Sequence, residues 1–290
     1  MKKAIKTELW KAFHNPMIWL ALAAGAFIVG ASARDCLAMI NEFNGRVNRA
    51  LELGLEISRS AEGYSLFVFA IPYDGVGFAS RLFIYVWPLI AAAPYGWSYL
   101  QERRTGVYDQ IVSRVGVRPY FLAKYIAVFV SGGAVVALTV LASLLVDAAI
   151  LPVWTLHPTF MRPVFNGNFL SVLFYTHPWV HALIWCGVLF LFAGATACLC
   201  FFAWTGLRLR ALAVIIPFAL YFVMRTVIYR VIVSGVHILF YPELLLRLAS
   251  LLSLVVVANT SGWDILYITG IVTALTLAVG YWRVVKHELD

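Results

Sequence analysis

Few side chains in this sequence can do chemistry. Only 12% of its 290 residues are charged, against 62% hydrophobic, where a soluble domain carries about 25% charged residues. His177 and His181, in the stretch HPWVH, lie one helical turn apart, a spacing at which two imidazoles can share a zinc ion. No Glu accompanies them as in H-E-x-x-H, and no carboxylate or cysteine nearby completes a site. An aromatic, amphipathic belt at the outer membrane interface accounts for His177, Trp179 and His181 without a metal. Cys36, Cys186, Cys198 and Cys200 show no paired metal spacing and no disulfide framework, and they read as packing residues. No G-x-x-x-x-G-K-[ST] occurs, so the chain has no P-loop for nucleotide phosphates.

The remaining candidates are charges set within or beside apolar runs, where each is costly and tends to be functional. Arg225 and Arg230 are five residues apart, about 140° around a helix, so they do not share one narrow stripe. With Glu243, Arg247 and Asp147 they form either a substrate pathway or an external ion-pair cluster. The densest charged stretch is LQERRTGVYDQIVSRVGVRPYFLAKY, Leu100 to Tyr125, lodged between two apolar runs.

The elements that must position these residues are membrane helices. About 20 apolar residues are needed to cross the hydrocarbon, and six runs meet that need: Pro16 to Ala33, Phe78 to Leu100, Tyr120 to Leu151, Pro178 to Trp204, Ala211 to Val233 and Ile265 to Trp282. The third is long enough to tilt or project beyond the bilayer. Residues 1 to 15 place Ile5, Leu9, Trp10 and Phe13 at helical spacing among lysines, the pattern of a basic interfacial helix rather than a cleaved signal. Residues 34 to 77 form an outer segment with a mixed-charge helix, serving as a cap, a partner surface or an extension of the first helix. Residues 241 to 262 hold an apolar segment too short to span, read as a re-entrant hairpin before the sixth span.

Six spans put both termini on one side. That side collects thirteen Lys and Arg and five Asp and Glu, which equals the whole formal charge of +8. By the positive-inside rule it is cytoplasmic, and attraction to anionic headgroups accounts for the basic character without nucleic acid. Leu100 to Tyr125 is then a cytoplasmic loop. Val107, Ile111, Val112 and Val115 repeat at helical spacing, Thr105-Gly106 breaks the preceding span, and Pro119 is expected to end the short helix. Small residues at Gly194 and Cys198 allow close helix approach, within this chain or across a dimer seam.

Glu102-Arg103-Arg104-Thr105-Gly106, the spacing to Arg118-Pro119-Tyr120, and Lys124 on the next span resemble the loop between the second and third spans of ABC-2 type transporter permeases. The entry helix, six spans, re-entrant pair and basic tail agree with that family in outline, while the long outer segment departs from its plainest members. The resemblance implies an all-α polytopic membrane protein with a cytoplasmic coupling helix between spans 2 and 3, carried by Glu102, Arg103, Arg104, Gly106, Val107, Ile111 and Arg114. It further implies a multi-pass subunit of the cell membrane that pairs with a second permease copy or a related permease. ATP and Mg would be bound by partner ATPase subunits, with no cofactor in this chain. The aromatic-rich interior suits an amphipathic or hydrophobic cargo: a peptide, lipid or drug-like molecule. The residues themselves leave open a membrane-embedded enzyme on lipids or peptides, and a non-transporting immunity or assembly protein.

Overall fold

The computed structural model describes residues 1–54, 65–71, 73, 77–153, 170–204, 210–233 and 262–286. Among these every regular element is helical. Three helices are long and apolar enough to cross a membrane: Pro16–Glu52, Val117–Ile150 and Pro178–Phe201. Shorter apolar helices, Phe78–Ala92, Ala213–Val223 and Leu266–Trp282, fall in the other three apolar runs.

Helix α1 (Lys2–Phe13) ends at a sharp turn. Asn15 opens the next helix: its Oδ1 accepts from the Met17 N–H at 3.0 Å, and Pro16 occupies the first turn, where its missing N–H costs nothing. Helix α2 (Pro16–Glu52) then runs unbroken for 37 residues, about 55 Å at 1.5 Å per residue. Of the readings open for residues 34–77, its first part is therefore an extension of the first helix. No proline interrupts it, and a Glu42–Arg46 pair braces one exposed turn.

After the one-turn helix α3 (Leu66–Phe69), the second apolar run departs from expectation. Helix α4 (Phe78–Ala92) stops after 15 residues, and α5 (Ser98–Arg104) begins only after a turn. Pro94 sits in that turn, lacking the N–H that would continue the ladder. The interruption swings Tyr95 into the interior, where it is 3% exposed.

Helix α6 (Val107–Val115) is bounded by Gly106 at φ 70° and Gly116 at φ 85°, left-handed values that side chains avoid. The expected stop at Pro119 is corrected: Gly116 ends α6, and Pro119 lies in the first turn of α7 (Val117–Ile150), where proline is tolerated. Helix α7 is the central column. It packs against α1, α2, α4 and α9 (Pro178–Ala197), which follows α8 (Ser171–Thr176) and continues as a 3-10 turn, Cys198–Trp204. Helices α10 (Arg210–Val233) and α11 (Gly262–Lys286) complete the described bundle.

The α7–α9 contact is made with glycines. A Cβ on Gly194 would stand 2.7 Å from the Phe129 carbonyl oxygen, and one on Gly133 would overlap the Phe190 carbonyl in return. Gly132 faces the Ala91 carbonyl of α4 in the same way. The small residues near Cys198 thus serve close packing within this chain.

Candidate functional site

Lys124 lies in the first third of α7 and is 0% exposed. An isolated ammonium there would cost several kcal/mol, so its partners must come from helices packed against α7. Glu8 of α1 places Oε2 at 2.6 Å from Nζ, and Glu102 of α5 places Oε2 at 2.8 Å. Lys11, one turn beyond Glu8, bridges both carboxylates, at 2.8 Å to Glu8 and 3.4 Å to Glu102. Two ammoniums therefore face two carboxylates, and the group is electrically balanced.

Tyrosines satisfy what remains. The Tyr95 hydroxyl donates to Glu8 Oε2 at 2.7 Å and accepts from Lys124 Nζ at 3.2 Å. The Tyr120 hydroxyl donates to Glu102 Oε2. Burial alone would raise the Glu8 carboxyl, but the charge of Lys124 and bonds from Lys11, Lys124 and Tyr95 outweigh it and hold Glu8 below the ordinary carboxylate range. Burial likewise tends to lower Lys11, and the Glu8 and Glu102 carboxylates overcome it, raising Lys11. Beside this node opens a cleft of about 380 Å³, lined by Trp10, Lys11, His14, Trp97, Glu102 and Val107.

The node sits at the root of α6. Tyr108 is the inward anchor of that helix, 3% exposed, with its ring edge-on to Tyr99 at 5.9 Å and Tyr120 at 5.3 Å and the Arg103 guanidinium 5.2 Å from its centre. Ile111 and Val112 pack partly against the core, while Val107 and Val115 remain exposed together with Asp109 and Arg114.

Of the residues expected to form the docking segment, Val107, Arg114 and Arg104 face outward, Ile111 is half-buried, and Gly106 supplies the turn. Glu102 and Arg103 turn to the interior contacts just described. Glu102 is a partner of Lys124 rather than part of the exposed face.

Of the five membrane charges, the two with described side chains, Asp147 and Arg225, have separate partners. Asp147 is wholly buried and bonded to Ser32 and Ser143, with no ion pair to any arginine among the described residues. Arg225 lies over the Tyr85 ring at 5.0 Å and hydrogen-bonds Tyr221. Arg230 belongs to α10, while Glu243, Arg247 and nearly all of the re-entrant segment 241–262 fall outside the described residues. His181 is also corrected. It is not part of an interfacial belt: at 1% exposure its Nδ1 is 3.0 Å from the Tyr73 hydroxyl, between Phe174 and Trp185. The face of α9 that carries His181 is the one that meets the bundle. No metal-ligand group occurs among the described residues.

Glu8 was absent from the sequence-derived site, and Lys124 entered only through the family resemblance. The available signal was Glu8 among four lysines on an interfacial helix, together with a lysine inside an apolar run. Comparison with family models, curated proteins and solved structures finds no match.

Proposed function

We propose that this chain is the membrane-spanning permease subunit of an ATP-driven exporter of the ABC-2 type. It is a six-span, multi-pass protein of the cell membrane with both termini cytoplasmic. It pairs with a second permease and carries an amphipathic or hydrophobic cargo. ATP and Mg are held by separate ATPase subunits that dock on α6.

The observation that carries this reading is the construction of α6. Glycines in left-handed turns separate it from its neighbours in the chain, Tyr108 pins it from beneath, and Val107 and Val115 stand exposed beside Asp109 and Arg114. Apolar side chains left exposed between charges on a short helix are suited to a protein groove. Three long apolar helices and three shorter ones, distributed over the six apolar runs, support the span count.

The test is recovery of the tagged chain from its native membrane in gentle detergent, with identification of bound proteins by mass. A Walker-motif ATPase in stoichiometric amount is expected. Val107→Glu combined with Val115→Glu should release it while membrane insertion and the Tyr108 anchor are kept. A wild-type preparation that carries no ATPase would overturn the proposal.

A further inference from the structure

We propose that the cleft beside the ion-pair node is a lipid-headgroup site that selects phosphoethanolamine, with Lys11 and Asn15 on the phosphate and Glu102 and His14 on the ammonium. The inference rests on the membrane reading of the bundle and is independent of the permease reading.

The cleft, about 380 Å³, falls within the roughly 300–1,000 Å³ of small-ligand sites. Its walls come from the turn between α1 and α2 and from α5. Two of its side chains supply donors. Lys11 Nζ carries three N–H groups and directs two at Glu8 and Glu102, at 2.8 and 3.4 Å. Asn15 Oδ1 accepts the Met17 N–H, so the amide presents its NH2 group as the donor. Both suit phosphate oxygens.

Two others supply acceptors. Glu102 Oε2 receives Lys124 and Tyr120, while Oε1 meets Lys11 at 3.4 Å, the longest contact in the node, and keeps capacity for a further donor. His14 Nδ1 lies 2.9 Å from the Trp10 carbonyl oxygen, which only accepts, so the neutral ring carries its hydrogen on Nδ1 and presents Nε2 as an acceptor. The two indoles that line the cleft are held in place. Trp10 stacks on His14 with centroids 4.4 Å apart, and Trp97 Nε1 donates to the Ala93 carbonyl at 3.1 Å. Indole faces attract a cation.

Charge and hydrogen bonding choose among headgroups. Two ammoniums already balance two carboxylates in the node, and a zwitterion leaves that balance intact. An anionic headgroup such as phosphoglycerol would add negative charge beside Glu8 and Glu102. Choline has no N–H to give Glu102 and His14, whereas ethanolamine carries a primary ammonium with three. The lipid tails also have a surface to follow. Met17, Leu20 and Phe27, on one face of α2 just beyond Asn15, are 43%, 62% and 65% exposed, and α2 is long and apolar enough to cross a membrane.

Native mass spectrometry of the delipidated full chain, offered equimolar phosphatidylethanolamine, phosphatidylcholine and phosphatidylglycerol with identical acyl chains, tests this. One phosphatidylethanolamine per chain is expected, preferred about tenfold over either other lipid. The preference should vanish in Trp10→Leu combined with His14→Ala, two exposed positions outside the ion pairs of the node. Soluble phosphoethanolamine, which lacks the acyl chains, should displace little of the bound lipid. Equal occupancy by the three lipids, or a preference unchanged in the double variant, would overturn the proposal. Full displacement by soluble phosphoethanolamine would also overturn it, by identifying a free phosphomonoester rather than a lipid as the occupant.

Discussion

Replacing Lys124 with methionine removes the one cation that both carboxylates contact most closely, while keeping the volume of the side chain. Each of its two ion pairs, at 2.6 and 2.8 Å, is worth about 6 kcal/mol of gross attraction at an effective dielectric near 20. Most of that is offset by taking the ions out of water, several kcal/mol for each. The loss on substitution is set by what is left behind. Glu8, 4% exposed, would face Glu102 with only Lys11 to neutralise both. Breaking a buried pair in this way costs about 3–5 kcal/mol, a shift of a hundredfold or more in the folding equilibrium. The assay is reversible denaturant unfolding in mixed detergent, with Glu8→Gln combined with Lys124→Met as the control. The double variant leaves Glu102 with Lys11 and Tyr120 and should recover most of the loss. If Lys124→Met alone costs less than about 1 kcal/mol, the node is not a buried ion-pair network and the reasoning fails.

The same node gives a pH dependence whose sign is fixed. Because Glu8 is held below its ordinary value, its contribution is full above the ordinary carboxylate range and disappears as pH falls through the lowered value; Lys11, which is raised, contributes below the ordinary lysine value and loses that contribution only as pH rises through its raised value. Thermal melts across acid pH should show the acid-side loss in wild type and its reduction in Glu8→Gln. Gly116→Ala forces a side chain to adopt φ 85° and should destabilise the α6–α7 junction by roughly 1–2 kcal/mol, seen as faster proteolysis within residues 106–117. Gly133→Ala places a methyl against the Phe190 carbonyl and should cost about 1–3 kcal/mol in the same unfolding assay. Tyr108→Ala removes the anchor of α6 and should cost about 3 kcal/mol, with loss of α6 protection in hydrogen exchange.

The apolar runs were legible because hydrophobic length is a local property, and α2, α7 and α9 occupy three of them. Helix α6 was legible for the same reason, from its apolar spacing and the break at Gly106, while its end at Gly116 was not. The break in the second run was harder to read. Pro88 lies inside α4 without ending it, while Pro94 lies in the turn, and a sequence pattern does not say which proline will break a helix that tertiary contacts can hold. The node was least legible, since Glu8 and Lys124 are 116 residues apart. Nothing in either local sequence requires the other, and only the packing of α1 on α7 brings them together.

That separation has a mechanical consequence for the proposed docking role. Glycines at both ends of α6 break the helical hydrogen-bond ladder, so the backbone is not one continuous rod from α6 into α7. The side chains provide a stiffer route. Tyr108 packs on Tyr99 and Tyr120, Tyr120 bonds Glu102, and Glu102 shares Lys124 with Glu8 of the entry helix. A push on α6 therefore reaches α1, α5 and α7 together, as a rigid-body displacement of that end of the bundle. Glu102→Gln should weaken this path while leaving α6 itself exposed, so ATPase binding would persist while coupling of hydrolysis to cargo movement falls. Equal loss of binding and coupling in that variant would instead place Glu102 in the maintenance of the fold alone.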